Sequence, residues 1–337
     1  MSVADRLAPC AKVKSMGKDV ITARRAPSRA LLGYGACALA ATLWGTGFYF
    51  ARIDLDEMSV GYMVLYRFWF ASLGMLPLAL RYRVHLTWPE TRMLLVCAFL
   101  GVPLQFLVQF QGLNLTTVSH AALMVGSMPV MLAAAAALFA GERLDWFGWL
   151  ALCASTVGVA LVAAGGGSGN RYEHPSLGGD LLVLVSLVAA LGWILLSKKL
   201  MEAHSPTAIS AYTILAGTGM LMIWVLGPLT LSPLTHHKVA PVPFAHIDAV
   251  AWAALVIGGL VCTAATTVLW NWGIHRVPAS RAGVLLNIEP ALGSLLGVEL
   301  LGERLGPYAW LGGVLILGAA VALTTRGGRA EPAVILE

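Results

Sequence analysis

"GLNLTTVSHAALMVGSMPVMLAAAAALFAGERL", residues 112–144, lies without a gap on "GIHRVPASRAGVLLNIEPALGSLLGVELLGERL", residues 273–305. Gly112 meets Gly273, Ser119 meets Ser280, Ala121 meets Ala282, Pro129 meets Pro290, and Gly141-Glu-Arg-Leu144 meets Gly302-Glu-Arg-Leu305, always 161 residues apart. Trp149-Leu150 and Trp310-Leu311 carry the same offset into the next apolar run. A repeat of this length divides the chain into two copies of one plan. Earlier in each half the likeness thins: Trp44 is set against Trp193, and residues 59–67 against 205–213, each with its own offset.

The plan is a membrane one. Hydrophobic residues make up 58% of the chain and charged ones 12%, well outside the balance of soluble domains. Runs able to cross about 30 Å of hydrocarbon as helices fall at 31–50, 61–80, 93–112, 120–140, 146–165, 180–197, 206–227, 250–270, 282–301 and 308–325. The expected fold is therefore an all-α integral membrane protein with ten transmembrane helices. Five spans per copy force the second copy into the bilayer upside down. The result is two inverted five-helix repeats, an architecture of secondary transporters that carry substrate near the midplane. The division is a tail at 1–30, a first repeat at 31–165, a Gly/Ser-rich linker at 166–179, a second repeat at 180–325 and a tail at 326–337.

Lysine and arginine set the orientation. With both termini in the cytoplasm, seventeen of the 22 lie inside, Arg52, Arg171, Lys238 and Arg304 lie outside, and Arg67 falls within a span. The net charge of +5 is thus a topology signal and gives nucleic-acid binding no support. The basic first 30 residues lack the apolar core and cleavage site of a secretory signal, so they are expected to stay on the protein; an organelle transit peptide is the alternative. Cys10, Cys37, Cys97, Cys153 and Cys262 are isolated, without metal or redox spacing.

Trp44-Gly45, Tyr66-Arg67-Phe68 and the twice-repeated "S-x-A-x-L-x-x-x-x-P … G-E-R-L" unit resemble the drug/metabolite transporter superfamily, specifically its ten-helix EamA-type members, over roughly residues 32–325. The resemblance implies inverted repeats around a central cavity and export of amino acids or other small metabolites across a bacterial inner membrane. Glu289-Pro290 is locally similar to the threonine and homoserine exporters.

A charge at a helix centre costs about 2.5–3.5 kcal/mol on insertion scales and needs partners or a wet cavity. Arg67 and Glu289 each stand seven or eight residues into a span, within a few ångströms of the midplane at about 1.5 Å per residue. Helical steps from Glu289 reach Ala282, Gly293 and Gly297, and from Arg67 reach Ala71 and Gly74, so both face small-residue stripes inside the bundle. The repeat supplies a control: Met128 stands where Glu289 does, and Thr213 where Arg67 does, so the scaffold needs neither charge. In the functional reading Arg67 grips a substrate carboxylate, and Glu289 meets an ammonium group or binds the coupling proton. The structural alternative is a permanent Arg67–Glu289 or Arg67–carbonyl pair.

Trp44, Gln105, Gln109 and Asn287 complete the expected substrate-binding set, with interhelical hydrogen bonding as the alternative for the amides. Pro129 and Pro290 are expected hinges. His120, at the start of its span, reads as a solvated or capping residue, and the Gly-Glu-Arg-Leu blocks as helix termini. No phosphate-binding loop is present, and His236, His237 and His246 lack ligand spacing, so no metal, cofactor or ATP is expected. The expected activity is a proton- or exchange-driven carrier working by alternating access, its partners a small molecule and the lipid bilayer. A drug or toxic-metabolite efflux carrier is the alternative, a membrane enzyme a more distant one, and monomer and homodimer both stay open.

Overall fold

The computed structural model describes residues 26–139, 146–165, 167–168, 175–235, 247–274, 276 and 285–327. The first Gly-Glu-Arg-Leu block, half of the linker and the outer-loop histidines lie outside them. The described residues are almost entirely helical: α1 (Ala26–Leu55), α2 (Val60–Arg81), α3 (Trp88–Leu115), α4 (Val118–Val125), α5 (Met128–Phe139), α6 (Trp146–Ala164), α7 (Leu177–Met201), α8 (Pro206–Thr235), α9 (Ala249–Ile274), α10 (Ile288–Leu301) and α11 (Pro307–Gly327). Seven helices are long and apolar enough to cross a bilayer, and Val118–Met131 and Pro307–Ala322 are shorter apolar ones. The exterior is apolar: Leu73, Ile223 and Val314 are 63, 76 and 65% exposed, as lipid-facing side chains should be. Two short strands, β1 (Gly167–Ser168) and β2 (Arg304–Leu305), pair antiparallel.

Helix neighbours come in matching sets. α3 packs on α7 as α9 packs on α1, and α2 on α9 as α8 on α3; α4 meets α10, α6 meets α11 and α2 meets α8. Glycines permit the closest approaches because helix association in lipid rests on packing rather than on the hydrophobic effect. A Cβ on Gly112 would stand 2.8 Å from the Gly179 carbonyl oxygen, and one on Gly273 2.9 Å from that of Gly33. Gly112 and Gly273 are the first matched pair of the repeat. The Gly293-x-x-x-Gly297 stripe packs within the chain, on Ala122 and Ser119 of α4.

Both proline spans are broken. Gly126 and Ser127 form a turn between α4 and α5, and a turn at Leu286-Asn287 precedes α10. Pro129 and Pro290 therefore sit in the first turn of the helix that follows, where a missing N–H costs no intrahelical bond. The two breaks meet: a Cβ on Gly126 would lie 3.3 Å from Pro290 Cβ.

Two helices also widen into π-turns, α3 at Leu100–Leu104 and α9 at Ile257–Ala265. Pro103 lies in the first and Gly258-Gly259 in the second. The 161-residue offset carries 100–104 onto 261–265, within the second π-turn. Such turns misalign the backbone ladder and occur often at functional sites.

Candidate functional site

Arg67, on α2, is buried against the π-turn of α9. Its Nε donates to Thr263 Oγ1 at 3.1 Å and its Nη1 to the Gly47 carbonyl at 3.3 Å. Thr263 in turn donates to the Gly258 carbonyl five residues back, at 2.8 Å, so its hydroxyl both occupies a widened-helix carbonyl and receives the arginine. The guanidinium also lies over the Phe110 ring, 5.2 Å from its centroid, in cation–π range. Glycine makes the room at Gly47, where a Cβ would stand 3.1 Å from Nη2; at Gly258 a Cβ would be in ordinary contact, 3.6 Å from Nη1.

The middle of α1 joins this arginine to the second candidate charge. Gly45 lies against the start of α10, a Cβ there standing 2.9 Å from the Glu289 carbonyl oxygen. Gly45 and Gly47 are about 3 Å apart along a helix axis, so Arg67 and Glu289 approach α1 at nearly one depth. No ion pair joins them; Arg67 takes a carbonyl and a hydroxyl instead. Glu289 is half-buried in the first turn of α10, where a carboxylate is favoured by the helix N-terminus. Asn287, at the N-cap position of α10, is buried.

Trp44 is half-buried and lies against Trp270 of α9, ring centroids 5.6 Å apart and planes tilted by 52°, which puts an aromatic wall beside Gly45. Gln109, next to Phe110, is buried; Gln105 is half-buried, and its Oε1 has no partner among the described residues. Phe68, Phe106, Phe110 and Phe48 form a chain of ring contacts between α2, α3 and α1, edge-on at its two ends and tilted between Phe106 and Phe110. The structure thus brings Trp44, Arg67 and Glu289 to one segment of α1, with Gln105 and Gln109 on the facing helix α3. Gly47, Phe110, Gly258 and Thr263, which hold the guanidinium, had no signal in the sequence beyond being small, hydroxyl or aromatic residues in apolar runs.

A second polar cluster ties the turn between α3 and α4. Asp180 of α7 accepts from Thr116 Oγ1 at 2.7 Å and from His120 Nδ1 at 3.2 Å, with histidine and aspartate both 1% exposed. His120 is therefore neither solvated nor a cap, in contrast to its sequence reading, because α7 closes over the α4 N-terminus. Arg52 donates to the carbonyls of Leu113 and Thr116. Glu303 receives the backbone N–H groups of Val118 and Ser119, each at 2.7 Å. The second Gly-Glu-Arg-Leu block does close its helix at a glycine, Gly302 having φ 66°, but its glutamate caps a different helix, buried. Asp180→Ala should lower stability by about 2–3 kcal/mol, leaving a buried hydroxyl and an imidazole N–H unpaired. Asp180→Asn, which can still accept from Thr116, should cost less; melting temperatures in detergent would separate the two.

Among known proteins, the model of the EamA-like transporter family matches residues 31–164 and 177–325. A probable terminal-alkyne amino-acid exporter of Streptantibioticus cattleyicolor is 26% identical over 298 residues, covering 86% of this chain and 93% of that protein. The uncharacterized transporter YwfM of Bacillus subtilis is 28% identical over 249 residues, covering 69% of this chain and 74% of its own. One solved crystal structure superposes with a TM-score of 0.57 at 21% identity, over 88% of this chain and 98% of that one, a likeness of fold.

Proposed function

The chain belongs to the EamA-like transporter family, multi-pass membrane proteins that move small molecules, and from that premise we propose that it is a secondary-active exporter of amino acids or similar small metabolites. Its ten spans form two inverted repeats, driven by protons or by exchange, with both termini on the cytoplasmic side of a bacterial inner membrane. The matched helix neighbours, the equivalent contacts of Gly112 and Gly273, and the paired breaks before Pro129 and Pro290 support the inverted repeat. Breaks that touch each other midway along both repeats suit a hinge on which the two halves rock.

The observation that carries the function is Arg67, a buried guanidinium at mid-bundle held by a carbonyl, a hydroxyl and a ring, with no carboxylate paired to it among the described residues. It keeps donors free for a substrate carboxylate. Glu289, reached across Gly45, is the proton-coupling group, with Trp44, Gln105, Gln109 and Asn287 lining the path. One relative's description as an amino-acid exporter supports the same substrate class. The aromatic chain from Phe48 to Phe68 and the Trp44–Trp270 pair favour a second reading, efflux of amphipathic organic compounds.

Counterflow in proteoliposomes loaded with a panel of amino acids, run across pH for wild type and Glu289→Gln, tests the proposal. The expected result is saturable exchange by wild type, and in the folded variant exchange that no longer varies with pH. Unchanged pH dependence in an active variant would return Glu289 to the scaffold. Exchange of aromatic organic cations, without amino acids, would establish the second reading.

A further inference from the structure

Asp54 stands near the C-terminal end of α1, 1% exposed, and its Oδ1 has no hydrogen-bond partner among the described residues. A buried carboxylate left in this state costs several kcal/mol unless something compensates it. Its neighbour Arg52 is hydrogen-bonded to the carbonyls of Leu113 and Thr116. The charge it interacts with is that of Arg67. Yet the two form no ion pair, since the guanidinium is turned to Thr263 and Gly47.

The spacing along α1 explains the separation. Gly47, which touches the guanidinium, Ala51 and Asp54 recur at helical intervals on one face. Seven residues advance about 10 Å, and between the two levels lie the Ala51 methyl group and, to one side, the half-buried Phe50. An α-amino acid, hydrogen-bonded at both ends at about 2.8 Å, bridges about 8–9 Å from guanidinium nitrogen to carboxylate oxygen. Two opposite charges separated by about that span along α1, with no ion pair between them, match the two ends of one zwitterion.

We propose that Asp54 and Arg67 together form a cradle for a zwitterion, Arg67 taking the carboxylate and Asp54 the ammonium group of an α-amino acid. Glu289 is then left free for the proton. The assignment rests on the carrier reading for Arg67 but is tested by binding, apart from transport. Asp54 had no signal in the sequence, where it reads as one of several charges at the end of a span.

The experiment measures ligand binding to the purified full chain in detergent. Leucine and phenylalanine are compared with their deaminated acids, 4-methylpentanoate and 3-phenylpropanoate, and their decarboxylated amines, isopentylamine and phenethylamine. Wild type should bind the amino acids about tenfold or more tighter than either analogue. Asp54→Asn should lose about tenfold for the amino acids and less than about twofold for the acids. An equal loss for amino acids and acids would make Asp54 a support for Arg67 and overturn the cradle, as would amino-acid binding unchanged in the variant. Failure of wild type to bind any of the six would also overturn it, while leaving carrier activity to be judged by counterflow of other solutes.

Discussion

Arg67→Lys is expected to leave the protein folded and to lower amino-acid counterflow about a hundredfold or more. The substitution keeps the positive charge, so any loss reports geometry. The guanidinium spreads its donors over three directions at once, Nε to Thr263, Nη1 to Gly47 and the remainder away from both, while its face rests on Phe110. An ammonium is a point charge on a shorter stem. It can satisfy the Gly47 carbonyl or the Thr263 hydroxyl, but it cannot hold either while presenting a two-pronged edge to a carboxylate. Two charge-assisted hydrogen bonds are worth about 1.5–3 kcal/mol each, which corresponds to at least a hundredfold in the rate at low substrate. Initial rates at matched protein incorporation, with melting temperature as the control for folding, give the answer. A raised KM at an unchanged melting temperature marks Arg67 as a substrate group. A wild-type KM in Arg67→Lys would restrict the arginine to helix packing.

What could be read in the sequence, and what could not, follows from the distance over which each feature is encoded. The repeat was legible because its residues recur at one offset, and Gly112 and Gly273 prove to be matched glycines at matched helix contacts. Arg67 and Glu289 were legible because a charge in an apolar run stands out whatever surrounds it. The partners of Arg67 were not: a threonine, two glycines and a phenylalanine from three other helices look like ordinary membrane residues until a π-turn turns Thr263 and Gly258 toward the guanidinium. The positions of the helix breaks escaped as well. Prolines at 129 and 290 announce irregularity, but whether a helix kinks at a proline or restarts just before it depends on the glycine and turn residues upstream. Charges near the ends of spans were the least legible. Asp180, His120 and Glu303 are buried because three segments converge on one turn, and no local pattern distinguishes that outcome from a solvated helix end.

Adjacent glycines at the start of α7 provide the other large expected effect. Gly179→Val should destabilise the protein by more than about 3 kcal/mol and prevent its recovery as a monodisperse species, whereas Gly178→Val should change its melting temperature little. The two differ only in which way they face. A Cβ on Gly179 would stand 2.8 Å from the Gly112 carbonyl oxygen, 2.8 Å from the Leu115 carbonyl carbon and 2.9 Å from its oxygen, whereas one on Gly178 would meet nothing within 4 Å. The obstructing atoms are backbone, so no rotamer change relieves the clash; α7 would have to withdraw from α3. That withdrawal would pull Asp180 from Thr116 and His120, breaking the polar cluster in the same step. Helix propensity predicts nearly equal, slightly favourable effects of valine at 178 and 179, so a large difference isolates packing from propensity. The sequence repeat adds a second arm: Gly273, the counterpart of Gly112, packs on Gly33 and Cys37 of α1, and Gly273→Val should be comparably damaging. Tolerance of valine at Gly273 alongside collapse at Gly179 would mean that the two halves do not share their closest contact, and the repeat would then be a likeness of sequence without a common packing rule.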